Sequence, residues 1–211
     1  MKKHLCSLCN NETIEYAKTR KKNYLFCPYC NSVQMDPSFY ISLENEKKRY
    51  ELHNNDISDL GYQNFVKPIT SFVTDNISTD SLGLDFGAGH GPVISEILKS
   101  KGYKIKIYDP FFHNDLSLLD SKYDFIISCE VIEHFHNPDK EFKLLRSLLN
   151  PNSKLILMTD PFKSTTDFSK WYYKNDETHV FFYSKQTFQY IKENYDFKNV
   201  EIYNRLIIFE T

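Results

Sequence analysis

From residue 81 onward the chain alternates short apolar runs with stretches whose apolar side chains recur every three or four positions. The apolar runs predict buried strands at 82–86, 104–108, 123–129 and 155–159. The stretches between them predict helices at 92–101, 138–149 and 184–194. Two last runs, 197–203 and 206–210, flank Asn204-Arg205 and predict a closing hairpin. Strands that alternate with helices indicate an α/β fold, a mostly parallel sheet with helices on both faces.

The first 80 residues have a different pattern. Residues 43–52 are dense in charge and predict a helix, and a second helix follows to about residue 75 despite Pro68. Residues 13–26 contain too few apolar side chains for a core of their own. We therefore predict a small module at 1–36, a helical linker or lid at 37–80, and an α/β domain at 81–211.

Four of the five cysteines form two Cys-x-x-Cys pairs: Cys6 with Cys9, and Cys27 with Cys30, separated by 17 residues. This spacing is typical of a zinc-ribbon-like site with four thiolate ligands, a closed tetrahedron that leaves no position for a substrate. Disulfides and incidental cysteines are the alternatives, and the spacing and the expected compartment oppose both. We predict structural zinc at these four residues, and we expect Cys129 to be a small hydrophobe in an apolar run.

The charge is unevenly distributed. The whole chain has a net charge of −2, but residues 1–35 carry six basic and two acidic residues. A basic module on an acidic body can touch nucleic acid without being a dedicated nucleic-acid binder. No apolar run is long enough for a membrane span or a signal peptide, so we expect a cytoplasmic protein with reduced thiols. The sequence leaves the oligomeric state open.

A glycine-rich loop, Asp85-Phe86-Gly87-Ala88-Gly89-His90-Gly91, follows the first predicted strand of the α/β domain and opens a helix. Glycines at this place let a ligand approach the backbone. Asp109 ends the next strand, where its carboxylate can accept hydrogen bonds from both hydroxyls of a ribose. Pro92 stands where a dinucleotide fingerprint needs its third glycine.

The loop closely resembles the first motif of class I S-adenosylmethionine-dependent methyltransferases. That resemblance implies a Rossmann-like sheet with an antiparallel terminal hairpin and S-adenosylmethionine as the cofactor. The implied cofactor-binding residues, the first of them suited to the ammonium group, are Asp85, Gly87, Gly89, Gly91, Asp109 and Phe111. The stretch from Asp109 to Tyr123 is short for this fold, so we expect one edge strand and its helix to be reduced or absent. Phe111 and Phe112 would then flank the adenine or merely cap the sheet edge.

A second motif, Glu130-Val131-Ile132-Glu133-His134, follows the strand that ends at Cys129. A helical turn there would place Glu130, Glu133 and His134 on one face. With His179 downstream, the motif resembles the E-x-x-E-H turn of ubiquinone-biosynthesis O-methyltransferases and small-RNA 2′-O-methyltransferases. The resemblance implies that Glu130, Glu133, His134 and His179 bind a divalent cation such as magnesium, and that His134, His179 and Glu130 act in catalysis. A structural role is the alternative, because a helix start favours acidic residues.

The acceptor is the open question. We predict an S-adenosylmethionine-dependent methyltransferase, O-directed, acting on a small metabolite or glycan-type acceptor. An RNA acceptor held by the basic zinc module is the first alternative. A non-catalytic zinc-ribbon adaptor with a degenerate methyltransferase fold is the second, and the intact glycine loop opposes it. Tyr50, His53 and Asn54 would belong to a lid, while Trp171, Tyr172 and Tyr173 would line the acceptor pocket or form the core of an insertion.

Overall fold

The computed structural model describes residues 4–19, 21–52, 56–163 and 165–211. Its N-terminal part begins with an antiparallel sheet of β1 (Ile14–Lys18), β2 (Asn23–Cys27) and β3 (Ser32–Met35). Two helices follow, α1 (Leu43–Glu51) and α2 (Leu60–Asn76), as the charge and periodicity predict. Among the described residues, no helix combines the length and the apolar character that a membrane crossing requires.

The remaining elements alternate between strands and helices. In chain order they are β4 (Leu82–Phe86), α3 (Val93–Ser100), β5 (Lys104–Tyr108), β6 (Tyr123–Cys129), α4 (Pro138–Ser147), β7 (Leu149–Met158), β8 (Phe181–Phe182), α5 (Lys185–Asn194), β9 (Asn199–Tyr203) and β10 (Leu206–Glu210). Six of the strands form one sheet in the order β5-β4-β6-β7-β10-β9. Its first four strands are parallel, and β10 is antiparallel to both β7 and β9. The predicted α/β sheet with a closing hairpin is confirmed.

The edge of the sheet beyond β5 is shortened. A 3-10 helix at Leu116–Asp120 takes up the middle of the stretch from Asp109 to Tyr123, which contains no further strand. The predicted reduction of one edge strand and its helix is thus confirmed. The largest boundary difference from the prediction is at the start of β7. This strand begins at Leu149, where we predicted the end of α4, because Leu149 already pairs with Tyr123 of β6.

The central strands are buried on both faces, which explains their nearly continuous apolar sequence. One face carries Leu84, Ile126 and Leu155 and packs against the apolar sides of α4 and α5. The opposite face carries Ile127 and Ile156 and packs against α2 and α3. This double burial fixes the carboxyl ends of β4, β5 and β6 along one edge, where ligands bind in open α/β sheets.

A second sheet has the order β1-β2-β3-β8. Strand β8 comes from the α/β part of the chain and adds antiparallel to β3, so Val33 pairs with Phe182 and Gln34 with Phe181. The sequence does not predict this strand. The cysteine-bearing segment is therefore hydrogen-bonded to the residues that directly follow His179.

Candidate functional site

The glycine loop after β4 packs closely against the turn after β6. Gly87 has a φ of +79°, and a Cβ at this position would lie 2.6 Å from both terminal methyl groups of Val131. Gly89 also has a positive φ, +67°, but a Cβ there would meet no atom within 4 Å. Gly87 therefore serves packing, whereas Gly89 leaves the open backbone surface that a ligand needs.

Asp109 at the end of β5 joins the glycine loop to the shortened edge. The Gly89 amide donates to its Oδ2 at 2.9 Å, and the amides of Phe111 and Phe112 donate to its Oδ1 at 2.8 and 3.1 Å. The side chain lies at the end of its strand, where it was predicted, and is buried. It also orders the two loops, a role that the sequence does not indicate.

Asp85, the acidic residue two positions before Gly87, is buried. Ser95 of α3 donates to its Oδ2 at 2.7 Å. Burial raises the pKa of Asp85 from 3.8 to about 7, because the charged form loses its hydration. The carboxyl group is therefore poised to change its charge when a cation arrives.

Helix α1 lies over the site through Tyr50. Its ring centroid is 5.7 Å from that of Phe111 and 5.3 Å from that of His134. The Tyr50 hydroxyl donates to Glu46 at 2.7 Å on the same helix. The predicted lid residue Tyr50 thus bridges the glycine-loop side and the histidine side, while His53 and Asn54 lie outside the described residues.

The turn after β6 departs from the predicted geometry at Glu130. Its φ is +54°, and the helical turn that follows is a 3-10 turn covering only Ile132–His134. The Glu130 side chain instead accepts a hydrogen bond from Arg205 Nη2 at 2.6 Å. The left-handed backbone of Glu130 takes it off the helical face that was predicted for it. Its carboxylate nevertheless stays beside Glu133, because the Tyr173 hydroxyl that donates to Glu133 also lies 3.2 Å from Glu130 Oε2. The sequence gives no signal for Arg205 as its partner.

The structure brings together the other two ionisable residues of the turn, Glu133 and His134, with His179. Glu133, His134 and His179 each place a carboxylate oxygen or ring nitrogen within 4.8 Å of the others. The two imidazole centroids are 4.7 Å apart. His179 Nε2 lies 4.0 Å from Glu133 Oε1.

Both imidazoles are fixed through Nδ1. His134 Nδ1 lies 3.0 Å from the carbonyl oxygen of Thr178, and His179 Nδ1 lies 2.7 Å from that of Tyr173. A carbonyl oxygen only accepts, so each Nδ1 carries a proton. Burial lowers the pKa of His179 to about 4, which keeps this ring neutral at pH 7.

Glu133 is completely buried and satisfied by hydroxyl groups. Tyr173 donates to its Oε1, and Thr159 donates to its Oε2 at 3.1 Å. Burial raises the pKa of Glu133 well above its usual value. Tyr173 and Trp171 contribute to an aromatic core around Phe182, as the core alternative predicts, whereas Tyr172 is exposed.

The four paired cysteines converge far from the glycine loop in sequence. Their sulfur atoms all lie within 4.8 Å of one another, with Cys6 and Cys30 3.6 Å apart and Cys9 and Cys27 3.4 Å apart. A disulfide requires about 2.05 Å. Four thiolates at about 2.3 Å from one tetrahedral zinc ion would be separated by about 3.8 Å, so the arrangement fits a single ion.

Comparisons with known proteins agree with this architecture. A family model described as a methyltransferase domain matches residues 59–202. An S-adenosylmethionine-dependent methyltransferase from Archaeoglobus fulgidus aligns with 71% of this chain and 99% of its own, at 16% identity and a TM-score of 0.52. No curated protein sequence matches the chain.

Two other solved structures have the same fold. An O-methyltransferase family protein from Burkholderia thailandensis aligns over 69% of this chain at 11% identity and a TM-score of 0.52, and this chain spans only 55% of that protein. Magnesium protoporphyrin IX methyltransferase from Synechocystis, solved with bound S-adenosylhomocysteine, aligns over 82% of this chain and 95% of its own, at 16% identity and a TM-score of 0.50. The chain belongs to the methyltransferase-domain family, which confirms the prediction of a methyltransferase.

Proposed function

We propose that the protein transfers a methyl group to a hydroxyl oxygen of a small metabolite or glycan-type acceptor. The observation that carries this proposal is the pair of imidazoles at the carboxyl edge of the sheet, each with its Nδ1 on a backbone carbonyl. A hydroxyl must lose its proton during methylation, and two neighbouring imidazoles, with ring centroids 4.7 Å apart, are suited to hold that hydroxyl and take its proton.

The glycine loop supports S-adenosylmethionine as the methyl donor. The open surface at Gly89, the buried Asp109 and the nearby ring of Phe111 fit a ribose and an adenine, and Asp85 fits an ammonium group. Gly87 and Gly91 complete the set of predicted cofactor-binding residues. When bound, the cofactor supplies a methyl group activated on a positively charged sulfur.

The chain's own residues then orient the acceptor and move its proton. His179 accepts the hydroxyl hydrogen at Nε2 with His134 beside it, and the orientation of both rings is fixed in advance by their carbonyl partners. Glu133, whose Oε1 lies 4.0 Å from His179 Nε2, borders the same space and is held in place by the hydroxyl groups of Tyr173 and Thr159. Tyr50 covers the same space from α1 and limits the access of water.

A divalent cation is a second candidate for the same cluster. Glu133, His134 and His179 offer one carboxylate and two imidazole ligands, a set that suits zinc or manganese better than magnesium. Glu130, the fourth predicted ligand, has its Oε2 on Arg205, whereas its Oε1 is buried without a hydrogen-bond partner among the described residues and is the atom that remains for an ion. Such an ion would lower the pKa of the bound hydroxyl. Removal of the hydroxyl proton would then not need a histidine Nε2 as the base.

A structural zinc ion at Cys6, Cys9, Cys27 and Cys30 forms part of the proposal. Elemental analysis is expected to find about one zinc per chain, lost in a Cys27→Ser, Cys30→Ser double variant. A metal-free module with disulfides between these cysteines would contradict the zinc assignment.

We also propose the division into a module at 1–36, a lid at 37–80 and a methyltransferase domain at 81–211.

The small-molecule acceptor is favoured over RNA by the use of the basic side chains in the N-terminal module. Lys22 Nζ donates to the carbonyl oxygen of Asp176 at 2.9 Å, and Lys18 pairs with Glu15 at 3.1 Å. These cations therefore have partners within the protein, which weakens the case for a phosphate-binding surface. A cytoplasmic location remains our expectation.

The proposal is tested by comparing His134→Gln and His179→Gln with His4→Gln as the matched control. Turnover with a small-molecule extract and labelled S-adenosylmethionine is expected to fall by about 10²–10⁴ in the two site variants. Binding of S-adenosylhomocysteine, followed by calorimetry, should be retained in all three. Unchanged turnover in both site variants would contradict the role of the pair. Loss of turnover on chelation, with restoration by manganese or zinc while the four-cysteine ion is retained, would assign the cluster to a cation instead.

A further inference from the structure

The sheet shared by β3 and β8 connects the cysteine cluster to the histidine pair. Cys30 lies two residues before β3, and His179 lies two residues before β8. We propose that the metal-bound cysteine cluster positions His134 and His179 through these two strands. This inference rests on the proposed function only because the proposed function gives the two imidazoles their role.

The first link runs from the cysteines to β3. The Ser32 hydroxyl lies 3.1 Å from Cys30 Sγ and 3.6 Å from Cys6 Sγ. The Gln34 side chain is 1% exposed and bonds to the backbone on either side of Cys6. Its Nε2 donates to the Leu5 carbonyl at 3.0 Å, and its Oε1 accepts from the Ser7 amide at 2.9 Å. Strand β3 is thus fixed to the segment that holds Cys6 and Cys9.

The second link runs from β3 to the acceptor site. The Met35 amide donates to the Val180 carbonyl at 2.8 Å, and the Val180 amide donates to the Glu133 carbonyl at 2.9 Å. Residue 180 therefore joins the strand that follows the cysteines to the turn that carries His134. The preceding residues, Thr178 and His179, supply one of the fixing carbonyls and one of the rings.

The metal is needed because the N-terminal sheet has little apolar burial at its outer edge. Strand β1 is exposed at four of its five residues. Cys6, Cys27 and Cys30 themselves belong to the core that contains Phe181 and Tyr183. In small modules of this kind, metal binding supplies much of the folding free energy. Strand β3 also packs through Val33 and Met35 against Phe182. Loss of the metal should therefore loosen the pairing of β3 with β8 rather than remove it.

Hydrogen exchange followed by mass spectrometry measures this coupling directly. We compare the zinc-loaded protein with the protein stripped of zinc by a thiol-reactive agent and a chelator. Exchange in the peptide covering 176–184 is expected to accelerate by at least about tenfold, whereas the peptide covering 104–108 should change by less than about twofold. The affinity for S-adenosylhomocysteine should also stay within about twofold.

A milder variant keeps the test decisive if the stripped protein unfolds. Gln34→Ala leaves all four thiolates in place, so it should retain about one zinc. It should nevertheless accelerate exchange at 176–184 and move the His179 ring nitrogen resonances in ¹⁵N spectra. Gln186→Ala, at an exposed glutamine of α5, is the matched control and should change neither.

Unchanged exchange at 176–184 and unchanged His179 resonances in zinc-loaded Gln34→Ala would overturn the inference, whatever happens to the stripped protein. Equal acceleration of every peptide in this variant would also overturn it, since the cluster would then support only the stability of the whole chain. These measurements need no acceptor. A wrong assignment of the proposed function would therefore leave their result unaffected.

Discussion

Binding of S-adenosylhomocysteine should release protons from Asp85. Its carboxyl group has a pKa of about 7 because it is buried, compared with 3.8 in water. About half of the molecules therefore carry a proton there at pH 7, about 0.9 at pH 6 and about 0.1 at pH 8. The ammonium group of the ligand favours the ionised carboxylate and restores an ordinary pKa. Binding should then release about 0.9 proton at pH 6, about 0.5 at pH 7 and about 0.1 at pH 8.

Calorimetry in several buffers measures this number. At each pH, the slope of the binding enthalpy against the ionisation enthalpy of the buffer gives the protons released. Asp85→Asn is the matched variant, because an amide can still accept the 2.7 Å hydrogen bond from Ser95 without carrying a titratable proton. Its slope should be near zero. Equal slopes in the wild type and Asp85→Asn, or a slope that does not vary between pH 6 and 8, would refute the placement of the ammonium group.

Three further predictions concern stability, measured by urea unfolding. Gly87→Ala should lower the free energy of unfolding by about 3 kcal/mol, since strain at positive φ adds to a clash at 2.6 Å, whereas Gly102→Ala, with open space, should cost only about 1 kcal/mol. Equal effects would contradict this reasoning. The lowered pKa of His179 means that the unfolded chain binds a proton near pH 6.5 and the folded protein only near pH 4. The free energy of unfolding should therefore fall by up to about 3 kcal/mol as the pH is lowered from 6.5 to 4. The His179→Gln variant should lack that loss. Arg205→Ala should lower the free energy of unfolding by about 2 kcal/mol, because it leaves Glu130 without its cation. The pair is about one-quarter exposed, which limits the effect. Arg205→Lys keeps the positive charge and should cost clearly less.

Most of the fold is predictable because its signals are local. The central strands are buried on both faces and therefore read as apolar runs, while Gly102 and Asn204 mark the end of a helix and of a strand through their positive φ angles. Strand β8 is not predictable, since Phe181 and Phe182 are too few to form a periodic pattern. Their partner, β3, lies near the other end of the chain.

The site residues likewise differ in whether local or long-range contacts fix them. The glycine loop and Asp109 lie where their motifs predict, because a strand end and a tight turn fix them locally. Glu130 does not, because its direction depends on a positive φ and on Arg205, 75 residues further along. The fixing of His179 likewise depends on a carbonyl of Tyr173 in a loop without periodicity. Such long-range contacts leave no pattern in the sequence.

Transfer of a labelled methyl group tests the central claim most directly. The zinc-loaded protein is incubated with labelled S-adenosylmethionine and a cell extract, with and without RNase, beside Asp109→Ala as the control that should lose cofactor binding. We predict label in a compound of low molecular mass, insensitive to RNase and attached as a methyl ether, with none formed by Asp109→Ala. Label that RNase removes, label on nitrogen, or equal labelling by Asp109→Ala would contradict the account.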